Sequence, residues 1–178
     1  MVAPRLNFVE GRDNEITHRL RFDGEPEVQA IWELLDKVKD PEIPVLSIWD
    51  LGILRDIRIV NEEVIVTVTP TYSGCPAMDV IRSDIKSVLA ESGYPDCEVE
   101  TVLSPAWTTD WMSEEGRQKL EQFGIAPPAK TTSIKKEVCC PRCKSENTRL
   151  ISEFGSTACK AMYQCVQCKE AFCYFKII

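Results

Sequence analysis

Apolar residues return at helical spacing in "EVQAIWELLDKVK", residues 27–39, where Val28, Ile31, Trp32, Leu35 and Val38 fall on one stripe. The spacing predicts a helix ending at Asp40-Pro41, because proline disfavours helical geometry in the residue before it. "DPEIPVLSIWDLGIL" carries Pro41 and Pro44 and predicts an extended, stiffened loop. Beyond it the period drops to two. Strands are expected near 53–60 and 63–70, joined by the polar turn "VNEE". In the second strand Val64, Val66 and Val68 share one face and read as core, while Ile65, Thr67 and Thr69 share the other. A second helical stripe follows, with Pro76 in its first turn and Val80, Ile81, Ile85, Val88 and Leu89 as its buried face. Gly93 and Pro95 close it. "CEVETVL", 97–103, alternates as a short strand that faces Val99 and Val102 inward, and 113–123 predicts a short helix between Ser113 and Gly124.

"IAPPAKTTSIKKEV", 125–138, has two prolines and no apolar period, and is read as a linker. Charge supports a boundary there. Residues 1–125 hold 12 Lys+Arg against 24 Asp+Glu, whereas 126–178 hold 9 against 4. The chain thus divides into an N-terminal extension at 1–26, a first domain at 27–124, the linker, and a small module at 139–178. An acidic main domain argues against nucleic-acid binding. No run approaches 18 apolar residues, so no membrane helix is expected. The N-terminus lacks a basic stretch followed by an apolar one, so no secretory signal is expected and the cytoplasm is the expected compartment. Nine cysteines, an odd number in a reducing compartment, point to metal or sulfur chemistry rather than disulfides.

In the tail, Cys140-Pro-Arg-Cys143 and Cys165-Val-Gln-Cys168 are two C-x-x-C turns with 21 residues between them. That is the ligand spacing of a structural zinc ribbon, in which each turn aims two sulfurs at one ion. A module this short has little core of its own, and the metal supplies the missing folding energy. Four thiolates also serve iron–sulfur clusters, but two paired turns favour zinc. Cys139 adjoins Cys140, and the spacing selects Cys140. Cys173, in "EAFCYFKII", is expected to pack in a strand. Cys159 has two readings: a buried small hydrophobe, or a free thiol on an exposed strand that works on a partner's cluster.

Cys75 stands alone in "TYSGCPAMDVI", at the predicted start of a helix. A helix N-terminus favours the thiolate, the form that binds metals. The plain alternative is a buried cysteine after a turn. The only histidine is His18, so a Cys–His catalytic pair is not expected. Asp40, Glu42 and Asp50 crowd the proline-bearing loop, either as ordinary loop carboxylates or, with Cys75 and the Thr67/Thr69 face, as one pocket of oxygen and sulfur ligands for transient iron.

"DPEIPVLSIWDLGILRDI" followed by "VTVTPTYSGCPAMDVI" resembles the SufT and MIP-type iron–sulfur assembly factors. With "PAWTTDWMSEEGR" and the ribbon downstream, residues 27–178 resemble the PaaD family of phenylacetate degradation. The resemblance implies an α+β fold: a small mixed α/β domain of the iron–sulfur assembly type, then a zinc-ribbon β module. It implies that Cys75 is the family's reactive cysteine and that Asp40, Glu42, Asp50 and Gly52 belong to its signature loop. It further implies a non-enzymatic accessory role beside a multicomponent phenylacetyl-CoA epoxidase, in contact with its iron–sulfur flavin reductase. Structural Zn²⁺, a transient iron–sulfur cluster and a homodimer complete these expectations. Paired E-x-x-H motifs for di-iron are lacking, as is G-x-G-x-x-G for flavin or nicotinamide. The remaining alternatives are a structural subunit without chemistry and, more weakly, a thiol-dependent enzyme.

Overall fold

A computed structural model describes residues 26–130 and 137–178; residues 1–25 of the expected extension and 131–136 of the expected linker lie outside the described residues. The first helix, α1, spans Pro26–Leu35 and buries Ile31, Trp32 and Leu35. It stops short of the predicted end at 39. Residues 38–40 leave the helix to bond with the loop: Ile48 N donates to Val38 O at 3.0 Å and Asp40 N to Leu46 O at 2.9 Å. Val38 stays buried, but as part of this bridge rather than of a helical stripe.

Strands β1 (Leu54–Val60) and β2 (Glu63–Val68) form an antiparallel hairpin. Asn61 and Glu62 make its tight turn with φ of 52° and 69°, the sign that matches strand twist. Helix α2 (Ala77–Glu91) carries the chain across to β3 (Cys97–Thr101), which lies parallel to β2. The sheet order is β1-β2-β3. Val64, Val66 and Val68 face the core as predicted. Thr67 and Thr69 are also buried, so the opposite face is not a solvent face. On α2 the buried face is Ala77, Met78, Ile81, Ile85 and Leu89. Val80, expected among them, is exposed, because it lies about 100° round the helix from Ile81.

A 3-10 turn at Thr109–Trp111 precedes helix α3 (Glu114–Gln122), whose N-cap Ser113 accepts from Gly116 N at 2.8 Å. Strand β4 (Ile125–Ala126) follows at once. It pairs in parallel with β7 (Ala171–Phe175) near the C-terminus. With β5 (Thr148–Ser152) and β6 (Lys160–Cys165) it makes a second sheet, ordered β4-β7-β6-β5. Residues 125 and 126, read from sequence as linker, are therefore part of the ribbon sheet.

The two sheets do not have independent cores. Phe175, Cys159 and Ile125 are buried in the same apolar cluster as Ile31, Val66 and Leu89. Trp107 stacks obliquely on Phe175 at 6.2 Å and donates its indole N–H to Leu51 O at 2.9 Å. A smaller cluster of Ala126, Cys140, Ala161, Cys165, Phe172 and Tyr174 belongs to the ribbon itself. Among the described residues, no helix is long and apolar enough to cross a membrane.

Candidate metal centre and thiol site

The ribbon's two C-x-x-C turns meet. The sulfurs of Cys140, Cys143, Cys165 and Cys168 all lie within 4.8 Å of one another. Cys140 Sγ is 3.7 Å from Cys168 Sγ, and Cys143 Sγ is 3.5 Å from Cys165 Sγ. A tetrahedron of sulfurs at about 2.3 Å from zinc has edges of about 3.8 Å, so these four residues fit Zn²⁺. Cys168 N–H points at Cys165 Sγ at 3.4 Å and is the leading reason that thiol is pulled down to about 6. Bound there, the ion supplies folding energy, and all four positions of a tetrahedral site are taken by protein. Cys139 is exposed beside this centre, and Cys173 packs in β7 with its sulfur 3.5 Å from Met162 Sδ.

The second site lies where the ribbon meets the first domain. Cys75 N donates to Tyr72 O at 3.2 Å, closing a tight turn with Gly74 at φ 86°. The Cys75 thiol is half-buried and packs against the shared core. Tyr72 stands at the other end of that turn. Burial first, then the nearby Cys75, Cys159 and Glu42, push its phenol above the ordinary 10.0.

Cys159 comes to this place from the ribbon, one residue before β6. It is buried, so it is no thiol on an exposed strand, and its Sγ is 3.1 Å from Thr157 Oγ1. Burial pushes this thiol up, opposed by the Thr157 hydroxyl and the Lys160 ammonium. Lys160 is itself 4% exposed, and its Nζ reaches Glu42 at 3.5 Å. The ribbon thus sets an ammonium against the first domain's proline-bearing loop and a thiol into the shared core.

The loop carboxylates divide. Asp40 accepts from Glu42 N at 2.9 Å and Ile43 N at 2.8 Å, a local turn cap. Burial, outweighing these bonds, raises its pKa. Asp50 is occupied on both oxygens: Oδ2 takes Ser47 N at 3.0 Å and Lys119 Nζ at 2.9 Å, and Oδ1 takes Ser113 Oγ at 3.0 Å. It ties the loop to α3 instead of facing the Cys75 turn. Burial is the largest influence on this carboxyl and opposes ionisation, yet Lys119, Ser47 and Ser113 together hold it below its ordinary value. Thr67 pairs with Asp56 and Glu100 within the sheet, and Thr69 N bonds to Ile53 O at 2.9 Å. Tyr72 and Lys160 were missed by sequence reasoning. The available signals were a tyrosine three residues before Cys75 and a lone cation, adjoining Cys159, in a strand with apolar neighbours.

Comparison with known proteins divides the chain in the same two parts. The sequence profile of an iron-sulfur cluster assembly protein matches residues 28–103, and that of the PaaD zinc beta ribbon domain matches residues 125–176. A protein of Escherichia coli K12, provisionally named as a component of a 1,2-phenylacetyl-CoA epoxidase, is 48% identical over 163 residues, covering 90% of this chain and 99% of its own. An Fe-S protein maturation auxiliary factor of Porphyromonas gingivalis is 36% identical, over 52% of this chain and 89% of its own. The auxiliary factor SufT of Staphylococcus aureus is 41% identical, over 43% of this chain and 88% of its own.

Proposed function

The chain belongs to the PaaD family, in which an iron–sulfur assembly domain is joined to a zinc ribbon, and from that premise we propose that it is a non-catalytic accessory factor of a phenylacetyl-CoA epoxidase. Its task is to mature the iron–sulfur centre of the partner reductase in the cytoplasm, with Cys75 as the thiol that handles the cargo. The zinc ribbon is structural and also docks the partner. The oxygenase and reductase roles belong to other subunits. A single histidine cannot furnish two E-x-x-H motifs, and no glycine-rich phosphate loop is present for flavin or nicotinamide.

One observation carries the reading. The thiol of the assembly-type domain sits half-buried against an apolar cluster that the ribbon's Cys159 and Phe175 also enter. The relatives that match the first domain are maturation factors by name, and the relative that matches nearly the whole chain is an epoxidase component by name. Maturation of an epoxidase component joins both.

The test is made in cells that express the whole pathway. With Cys75→Ser, the purified reductase is expected to lack its iron–sulfur cluster while its polypeptide level stays normal. Cys97→Ser, at the start of β3, serves as control. Full cluster loading in the Cys75→Ser strain would sink the maturation role and leave a structural subunit of the epoxidase complex as the reading.

A further inference from the structure

The sheet edges of this molecule are finished in different ways. In the first sheet both outer strands carry charge: β1 reads LRDIRIV and β3 reads CEVET. Charged side chains on an edge discourage another chain from adding a strand. In the ribbon sheet β4 lies against helix α3, and β5 is the free edge. Strand β5 reads TRLIS, and all of it after Thr148 is exposed. Leu150 is 47% exposed, Ile151 55%, and Phe154, two residues past the strand, 64%. The other large exposed apolar side chains among the described residues are scattered along the chain and need no explanation. Leu150 pairs with Tyr163 and Ser152 with Met162, so Ile151 is an extra residue without a partner in β6. Among the described residues no strand pairs with the outer side of β5. An apolar, unpaired edge of this kind is a template for a further strand.

We propose that the free edge of β5 is a self-association surface, on which a second copy of this chain adds its own β5 antiparallel about a twofold axis. The proposal does not depend on the maturation reading. Charge selects the occupant. Arg149, near the start of the strand, hydrogen-bonds the neutral Gln164 oxygen at 3.2 and 2.6 Å, so its charge meets no carboxylate. Glu153, directly after the strand, has no ion pair among the described residues. Lys176 bonds the Glu153 carbonyl at 3.2 Å and lies over the Phe154 ring at 4.6 Å, which steadies Phe154 without using the Glu153 carboxylate. One uncompensated charge of each sign thus flanks the apolar centre. An antiparallel copy lays the end of one strand beside the start of the other, so each Arg149 comes to the other copy's Glu153. A parallel copy would set like charges side by side. A partner segment of a single charge sign would answer only one of the two groups. In the twofold pair Leu150 and Ile151 of each copy cover those of the other, and the two ribbon sheets become one. The pairing uses the same edge on both copies, so association closes at two.

Full-length, zinc-loaded protein is followed by sedimentation velocity over a wide range of concentration. Wild type is expected to pass from monomer to dimer and to form nothing larger. Leu150→Ser combined with Ile151→Ser should weaken the dimer roughly ten-fold or more, with zinc content and the far-UV spectrum unchanged. Arg149→Glu alone and Glu153→Arg alone set like charges against each other across the axis and should each weaken it. Arg149→Glu with Glu153→Arg in one chain restores opposite charges and should bring the dimer back. Should the apolar double variant lose zinc, the charge series decides by itself, because it changes exposed side chains only. A wild type that stays monomeric at every concentration overturns the proposal. So does a dimer indifferent to Leu150 and Ile151, or a charge-swapped chain no tighter than the single reversals. A monomer that instead binds the epoxidase reductase, and loses it on Ile151→Ser, gives this edge to another protein and also overturns the proposal. Reductase cluster loading in the Cys75→Ser strain is read independently of all these outcomes, so the maturation reading stands or falls separately.

Discussion

Gly52 adopts φ 67°, and a Cβ placed on it would meet Trp111 O at 2.4 Å. Both backbone strain and a collision with main chain follow from any side chain there, so Gly52→Ala is expected to cost about 3 kcal/mol, read by chemical denaturation. Asp50 serves the same corner. Its side chain joins the signature loop to Ser113 and Lys119, 63 and 69 residues away. Asp50→Asn is expected to destabilise by about 2 kcal/mol, since it removes one partner of a largely buried ion pair. The pH dependence has a definite sign. The folded carboxyl is held below its ordinary value of 3.8, so Asp50 contributes stability above that pH and loses the contribution as pH falls further. Acid titration of unfolding should show a steeper loss below that value in wild type than in Asp50→Asn. The sequence motif marks Asp50 as important but not its partners, because bonds that cross so much chain leave no local period to read.

At the scale of elements, the hairpin, the crossover helix and the cysteine turns were legible because each obeys a local rule. Alternation, a 3.6-residue stripe and the C-x-x-C spacing are properties of neighbours in sequence. Strand β4 was not legible. Two residues give no alternation to detect, and Pro127-Pro128 directly after it reads as linker. Only its pairing with β7 makes it a strand. That pairing alters what metal loss should do. Cys165→Ser is expected to lose the zinc and unfold the ribbon, with zinc content measured after gel filtration. Retention of a full equivalent would refute the ligand set. The first domain is expected to feel that loss too. With Phe175 and Cys159 inside its apolar cluster, its thermal midpoint should fall as well.

Across the whole molecule, the join between the parts is a packed interface and not a flexible tether. Besides the shared core, Lys144 pairs with Glu121 at 2.6 Å and Thr109 N bonds to Ile178 O at 3.2 Å. The charge reversal along the chain is consistent with this: a basic ribbon rests against an acidic domain. A specific protease site inserted at 131–136 should therefore yield two fragments that co-elute on size exclusion, whereas separation would mean the interface is weak. Charge and proline suggested a boundary at 125–138, but apolar pattern is silent about which surfaces meet. The packing of Phe175 bears on how the protein is made. A ribosome releases the first domain's strands and helices long before residue 175, so during synthesis Trp107 waits without the ring that covers it. Final closure of the core is then a late step, gated by the arrival of the last strand. Shortfalls of zinc in the growing cell would be felt at that moment, as chains stalled with an open apolar face and exposed to proteases and chaperones.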